Sequence, residues 1–563
     1  MTTEEIRRKY EEWRTHCKDP DLLSELEAIG EDGHELRDRF SKELEFGTGG
    51  VRGLLGVGPN RVNRYTIRRI TTAFALFLNA QAPNEPSVVI GYDSRKASKL
   101  LADEAATVLA TNGFKVLMFP EIIPTPVVSF AVRNLCCTGG IMITASHNPA
   151  TYNGIKVYGK TGTQLCDKDT TTISEIAKKL DFFVDLKSST NAEITPVPTS
   201  LLDTYFETIK AALSLREIED FNLVFTPLNG AGSKPIKRLF GEMNLKSFWV
   251  VPEQEEPDPE FKTCEYPNPE DKNALKYAIK LAKEKNAQLV IATDPDCDRI
   301  GVAEKNGDSY YLLSGNDLGV LLLDYLCRIK NTGKSLTGWH IIKSIVTTNM
   351  VEAIAEKYGL TVNLTLTGFK NICGKMDELE ATNNLGNFVI GFEESCGYLP
   401  GTYARDKDGI STTAVVCEMV AEYNKTGTTL LNRLNELYEE FGFYMSFATC
   451  FEFKGTNSME LMGNIMQKLR SENPSDLANH KISSIQDYKK EGVSQTNDGS
   501  RTGFPTSDVL VFNLSNRTQV VMRPSGTEPK LKLYYLITAS SKDDAISQFE
   551  ALRLCMDKKI REI

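Results

Sequence analysis

From Ser87 onward, short apolar runs alternate with helix-prone stretches, and that alternation leaves the chain few ways to fold. Residues 88–91, 114–119 and 141–143 read as strands, with helices over 97–112 and 126–135 between them. Apolar strands separated by helices specify an α/β layer domain with a largely parallel sheet. In open sheets of this kind ligands sit beyond the carboxyl ends of the strands. The loops that follow the apolar runs are therefore where chemistry is expected. Within residues 140–156, the strand 141–143 gives way to small and polar residues, and Asn148 with Pro149 forces a turn. Ser146 then stands on a tight loop just past a strand end. A serine there can carry covalent chemistry if activated, or it can simply cap a helix.

The same arrangement recurs along the chain. Residues 1–45 are charged and read as a helical arm broken at Pro20 and Gly30. In the glycine-rich segment 46–53, the glycines allow close approach to a ligand and Arg52 suits a phosphate. The glycine spacing is not a dinucleotide fingerprint, and the segment by itself reads as a flexible loop. The first α/β block closes near residue 200, where Pro196 and Pro198 mark a linker. A second block has strands 223–225 and 288–292 around a helix 272–285. A third, from Asp317, has strands 341–346, 362–366 and 387–390 and helices 410–423 and 430–441. The last, from 445, has separated strands 509–512, 519–522 and 532–537, a polar loop 490–507 and a closing helix 542–558. This places domains at 1–200, 201–316, 317–444 and 445–563. The length of 563 residues fits about three to five domains.

A formal net charge of −10 argues against a general nucleic-acid binder, which would carry a basic excess. It leaves room for a locally basic site that takes an anionic small molecule. The twelve cysteines include no Cys-x-x-Cys pair, which suits a reduced, cytoplasmic setting. The charged N-terminus lacks the apolar core of a signal peptide, and no run of about 18 apolar residues suggests a membrane span. The sequence does not indicate an oligomeric state.

Asp294, Asp296 and Asp298 follow the strand 288–292. If the segment stays extended, residues at i, i+2 and i+4 face one way. Three hard carboxylates on one side suit a divalent cation, most naturally Mg²⁺. A calcium-binding helix–loop–helix would need glycine and glutamate where Arg299 and Lys305 stand. Glu393, Glu394 and Ser395 follow the strand 387–390 and offer acceptors to a polyhydroxy compound. Arg523, Ser525, Gly526 and Thr527 offer a guanidinium, two hydroxyls and a glycine amide, a composition that cradles phosphate. Gly333-Lys334-Ser335 is not a nucleotide loop, because Arg328 stands where the earlier glycine belongs. A serine, a three-aspartate cation site, a polyol-reading loop and a phosphate cradle add up to phosphoryl transfer between a serine and a phosphorylated sugar.

Together these motifs resemble the α-D-phosphohexomutase family, in particular its phosphoglucomutase/phosphomannomutase branch, over roughly residues 40–540. The resemblance implies an α/β protein of four domains around a central cleft: three related α/β layers and a smaller C-terminal α+β domain. Residues 144–149 are similar to the family's phosphoserine loop, which would make Ser146 the phosphoryl carrier with His147 beside it. Lys156 matches a family lysine used in acid/base work, and Arg52 and Lys370 join the catalytic set. Asp294, Asp296 and Asp298, with an oxygen of Ser146, match the Mg²⁺ ligands, with Arg299 alongside. Glu393 and Ser395 match the residues that hold sugar hydroxyls. Arg523, Ser525, Gly526 and Thr527 match the loop for the non-reacting phosphate.

Residues 367–370 and 405–409 look like the phosphoglucomutase side of the branch. Pro295 and Cys297 depart from the glycine or alanine common there. The implied activity interconverts glucose 1-phosphate and glucose 6-phosphate through a bisphosphate intermediate, with glucose 1,6-bisphosphate as activator. The implied partner is a small phosphosugar rather than a nucleic acid or membrane. Mannose, glucosamine or pentose phosphates are alternative substrates, and a sugar-phosphate binder without turnover is the alternative outside catalysis.

Overall fold

Ser87–Tyr92, Gly139–Ile143, Lys115–Met118 and Ile194–Pro196 run parallel, as the alternation of strands and helices requires. Val88, Val89, Ile90, Ile141, Met142 and Ile143 are buried on both faces of that sheet. Each such side chain contributes about 1.5–3 kcal/mol of burial, so the strand ends are firmly placed. The helices Arg64–Asn79, Ser98–Thr111, Thr125–Asn134 and Asp167–Lys178 accompany it. The computed structural model describes all residues except 31, 48, 83, 184–192, 454–457, 490–494, 497–503, 526–529 and 563. It divides into two units: Met1–Leu318 with Gly368–Thr426, and Gly319–Thr367 with Gly427–Ile563.

In the first unit the N-terminal arm is three helices, Thr3–His16, Pro20–Ile29 and Gly33–Phe40. Both expected breaks have a structural cause. Pro20 opens the second helix behind the Asp19 carboxylate, which accepts the Asp21 and Leu22 N–H groups. Gly30, at φ 53°, ends that helix.

The first sheet has seven strands, and four of them go beyond the sequence reading: Phe46–Gly47, Gly50–Leu54, Tyr152–Gly159 and Ile194–Pro196, the last where a linker was expected. Tyr152–Gly159 lies antiparallel to Gly139–Ile143, and Gly50–Leu54 lies antiparallel to it in turn. The glycine-rich segment is therefore largely strand, not flexible loop. Glycine, asparagine and lysine obscure the strand pattern because they serve local geometry here. A Cβ on Gly154 would lie 2.2 Å from the Val51 carbonyl oxygen and 2.8 Å from that of Thr144. Lys156, on the same strand, is spent on the site described below. The helix Arg64–Asn79 was likewise missed; it is capped by Asn63 and buries Ile67, Ile70, Phe74 and Leu78 at helical spacing.

A second sheet in this unit has five strands, with Leu289–Thr293 parallel to Leu223–Thr226 and antiparallel to Ile300–Asn306. The hairpin Phe388–Glu393 with Gly397–Leu399 and the helices Phe369–Ala381 and Gly409–Thr426 complete the unit.

The second unit holds the parallel pair His340–Ser344 and Thr361–Thr365 and an antiparallel C-terminal sheet. In that sheet Phe443–Glu452, Lys530–Ala539, Gln519–Pro524, Leu510–Leu514 and His480–Asp487 are successive neighbours. The helices Ser458–Glu472 and Lys542–Arg561 supply Met466, Leu469, Leu552 and Met556 to its core. This is the expected α+β end of the chain, with more strand than the sequence reading found. Most of the 490–507 segment, read as a loop, lies outside the described residues.

The crowding at Gly154 makes a direct test. Gly154→Ala should cost about 1–3 kcal/mol through overpacking, read as a lowered midpoint in denaturant unfolding. An unchanged midpoint would mean that the two strands are not this close.

Candidate active site

Ser146 follows the buried strand Gly139–Ile143 and is itself buried. Its φ of 52° lies in the left-handed region, which costs a non-glycine residue about 1–3 kcal/mol and persists only where surroundings enforce it. Arg95 does the enforcing. One guanidinium nitrogen donates to the carbonyls of Ser146 and Asn148, and the other to those of Pro149 and Tyr152, at 2.8 and 3.2 Å. The Ser146 N–H donates to Thr144 Oγ1 at 2.8 Å. Arg95 is held in turn by Asp93 at 3.4 Å, whose carboxylate also accepts from Ser98 Oγ. Sequence reasoning missed Arg95, although the signal was present: it stands in the polar loop that ends an apolar strand, as Ser146 does.

Asp294, Asp296 and Asp298 converge, with a carboxylate oxygen from each within 4.8 Å of the others. They do so through a tight turn rather than the extended segment expected. Cys297 takes φ 54° and its N–H donates to the Asp294 carbonyl. Asp294 Oδ1 accepts the N–H groups of Asp298 and Arg299, at 3.0 and 2.9 Å. Its other oxygen accepts from Ser146 Oγ at 2.7 Å, so the serine and the aspartate loop form one site. His147 Nδ1 lies 3.2 Å from the same hydroxyl.

Lys156 Nζ donates to Asp296 Oδ2 at 2.7 Å and to Asp298 Oδ2 at 2.8 Å. Lys407 Nζ lies 3.0 Å from Asp298 Oδ2, and Thr125 Oγ1 donates to Asp296 at 2.9 Å. Lys407 and Thr125 were not singled out from sequence; Lys407 was noted only inside the charged run 405–409. Burial and the neighbouring aspartates push the Asp294 carboxyl well above its ordinary value. Burial opposes ionisation of Asp298 as well, but Lys156, Lys407 and Arg299 outweigh it and hold that carboxyl far below its ordinary value. Burial works against the Lys156 ammonium, yet Asp296 and Asp298 raise it above its usual range, so it is a fixed positive charge. Burial, then Arg299 and Arg52, push the His147 imidazole well down, leaving it neutral near pH 7.

Among the buried side-chain atoms of the described residues that have no hydrogen-bond partner are Asp296 Oδ1, Asp298 Oδ1, Arg52 Nε and Arg299 Nε. Buried polar groups are normally paired, so orphans of both kinds point to missing ligands. The two hard acceptor oxygens fit a divalent cation. The two guanidinium donors fit an anion such as phosphate. Arg52 also donates to the Asn148 side chain at 3.0 Å, beside the serine loop.

Other candidate residues fall elsewhere in the two units. Glu393 is buried and accepts the Gly368 N–H at 2.7 Å, and Ser395 follows it in a turn where Cys396 takes φ 58°. Gly397 leaves room for the Lys407 stem, which a Cβ would meet at 2.2 Å. Lys370 forms an ion pair with Asp167 at 2.6 Å. In the second unit Arg523 lies on the strand Gln519–Pro524, and the Ser525 N–H donates to the Lys530 carbonyl. Gly526 and Thr527 lie outside the described residues.

A serine hydroxyl bonded to a buried cluster of carboxylates, with guanidinium groups beside it, suits phosphoryl transfer. Known proteins agree. The chain matches the phosphoglucomutase/phosphomannomutase alpha/beta/alpha domains I, II and III over residues 43–183, 203–307 and 314–441. It is 35% identical over 527 residues to a phosphoglucomutase of Staphylococcus aureus (strain bovine RF122 / ET3-1), covering 92% of this chain and 94% of that protein. Its fold is similar to a phosphoglucomutase/phosphomannomutase family protein from Burkholderia thailandensis, with TM-score 0.68 and 19% identity over 91% of this chain and 97% of that one. It is also similar to the Paramecium phosphoglucomutase pp63/parafusin in its open form, with TM-score 0.66 and 18% identity over 92% and 96%. The chain belongs to the phosphoglucomutase/phosphomannomutase family. It is thus an isomerase of the mutase type, and the buried aspartate triad fits the metal ion that this family uses. Among the described residues no helix is long and apolar enough to cross a membrane.

Asp296→Asn removes one charge from the cluster while keeping its shape. Divalent-ion affinity, measured calorimetrically with Mg²⁺ and Mn²⁺, should fall at least about tenfold, as losses around metal sites generally do. Unchanged affinity would remove Asp296 from the cation site.

Proposed function

We propose that this mutase interconverts glucose 1-phosphate and glucose 6-phosphate, with Ser146 as the phosphoryl carrier. The observation that carries the reading is the 2.7 Å bond from Ser146 Oγ to Asp294, beside orphaned acceptors and orphaned guanidinium donors. The glucose preference rests on the Staphylococcus aureus phosphoglucomutase, 35% identical over most of both chains.

The phosphoryl group passes from Ser146 Oγ to the free hydroxyl of the sugar phosphate. The serine O–P bond breaks, a sugar O–P bond forms, and the bisphosphate then returns its other phosphoryl group to Ser146. His147, a neutral imidazole beside Oγ, holds the proton exchanged between the sugar and serine oxygens. Arg52 and Arg299 donate to the equatorial oxygens of the group in flight, where charge accumulates. Lys156 does not leave its two carboxylates; it supplies fixed positive charge rather than acting as a base. Lys407 does the same from the other side of Asp298. Asp294, Asp296 and Asp298, with the Ser146 oxygen, would hold Mg²⁺, which when bound supplies further neutralisation of phosphoryl charge. Glu393 and Ser395 read sugar hydroxyls, with Lys370 in the first turn of the helix Phe369–Ala381, next to the Gly368 amide that Glu393 accepts. Arg523, Ser525, Gly526 and Thr527 hold the phosphate that is not reacting. Glucose 1,6-bisphosphate acts as activator by rephosphorylating a serine that has lost its group.

Glucose and mannose differ only at C2, so residues that hold other hydroxyls do not separate them, and an assay must. Purified protein with Mg²⁺ should isomerise glucose 1-phosphate faster than the 1-phosphates of mannose, glucosamine or ribose. Ser146→Ala should lower the rate by at least about a thousandfold, as removal of a covalent carrier does, while unfolding stays cooperative. A Ser146→Ala protein with near-normal turnover would overturn the carrier assignment, and a faster rate on another sugar would overturn the glucose preference.

A further inference from the structure

Thr125 is fully buried and opens the helix Thr125–Asn134 between two prolines, Pro124 before it and Pro126 after it. Each proline fixes its own φ, so the backbone at this helix start is stiff. From there Thr125 reaches Asp296, 171 positions further along the chain, through two bonds. Its N–H donates to the Asp296 carbonyl at 2.9 Å, and its Oγ1 donates to Asp296 Oδ2, also at 2.9 Å.

The two bonds do different things. The backbone bond fixes where Asp296 stands. The hydroxyl bond acts on the carboxylate, whose rotation is otherwise soft, because torsions onto an sp² carbon have broad wells. Lys156 Nζ donates to the same Oδ2 at 2.7 Å but is shared with Asp298 Oδ2 at 2.8 Å. A threonine hydroxyl has one proton to give, and here it goes to Asp296. With two donors on Oδ2, Asp296 turns Oδ1 out with no hydrogen bond, as the oxygen free for a cation. Asp298 is arranged likewise: Lys156 and Lys407 occupy Oδ2, and Oδ1 has no hydrogen bond. These two aspartates therefore offer a cation one free oxygen each. Mg²⁺ suits such a set, taking single oxygens in an octahedron at about 2.0–2.1 Å. Ca²⁺ takes about 6–8 oxygens at about 2.3–2.6 Å and readily uses both oxygens of one carboxylate.

We propose that Thr125 sets the cation selectivity of this site: by holding Oδ2 it keeps Asp296 a one-oxygen ligand and biases the site toward a small divalent cation over Ca²⁺. Thr125 is a positioning residue, acting only through Asp296. Without its hydroxyl, the carboxylate is free to turn and to present both oxygens, which weakens the fit to Mg²⁺ more than the fit to Ca²⁺. The inference rests on reading the aspartate cluster as a cation site. It does not depend on which sugar is turned over or on Ser146 as the carrier.

The test is calorimetric titration of the metal-stripped full-length protein with Mg²⁺ and, separately, with Ca²⁺, in the absence of sugar phosphate. Thr125→Val keeps the side-chain shape and the backbone bond and removes only the hydroxyl. Its Mg²⁺ affinity should fall about tenfold or more, the usual cost of losing a group that orients a metal ligand. Its Ca²⁺ affinity should fall by a clearly smaller factor, so that the preference for Mg²⁺ narrows. Thr125→Ala removes the same hydroxyl and should give the same narrowing, whereas Thr125→Ser retains it and should return the ratio to near the wild-type value. Equal losses for both ions would mean a general loosening of the site and would overturn the proposal. So would a wild-type ratio in the valine and alanine variants, or a serine variant no better than they are. Wild-type protein that binds neither ion saturably would overturn the cation reading and this proposal together. Wild-type binding with selectivity unchanged in the variants would overturn this proposal alone.

Discussion

The first unit is arranged around three carboxylates buried within a few ångströms of one another. At that separation, each pair repels by about 3–4 kcal/mol when both are ionised, at an effective dielectric near 20, and burial with that repulsion pushes the Asp294 carboxyl well above its ordinary value. No fold would carry that repulsion without compensation. Lys156 bridges two of the groups, Lys407 meets one from a different element, and the Asp298 and Arg299 amides and the Ser146 hydroxyl meet Asp294. The compensation is incomplete: one oxygen on each of Asp296 and Asp298 still has no hydrogen bond, with only a long 4.0 Å ion pair to Arg299 at the second. That remainder is what a cation would satisfy. The electrostatics that threaten the fold also make the site.

Positioning follows a single device used three times. Buried strands end at Ile143, Thr293 and Glu393, and each is followed by a turn with one non-glycine residue in the left-handed region: Ser146, Cys297 or Cys396. Such residues hold their geometry only under constraint from around them. For Ser146 the constraint is visible as the Arg95 guanidinium spread over four carbonyls. The loop therefore depends on a residue that performs no chemistry itself.

Much of this was legible in the sequence, for a physical reason. Strands such as Ser87–Tyr92 and Leu289–Thr293 are buried on both faces, so they read as apolar runs, and the loops after them stand out by contrast. Tyr152–Gly159 was hidden because its residues answer to neighbours rather than to strand preference: Gly154 to the Val51 carbonyl, Lys156 to two aspartates. The convergence of the aspartates was foreseen by alternation along an extended segment but is achieved by a turn at Cys297, a conformation that spacing does not reveal. Lys407 and Thr125 were out of reach, since they meet the aspartates across more than a hundred residues of chain, and only the tertiary fold brings them together.

The central claim is that Ser146 Oγ carries the phosphoryl group. The most direct test is to incubate the protein with Mg²⁺ and glucose 1,6-bisphosphate radiolabelled in its phosphates, cleave it, and locate the label. The account predicts about one label per chain, on the peptide that contains Ser146, and its loss to a chase of unlabelled glucose 6-phosphate at the rate of turnover. Label on any other peptide, or label on Ser146 that the chase does not remove, would contradict it.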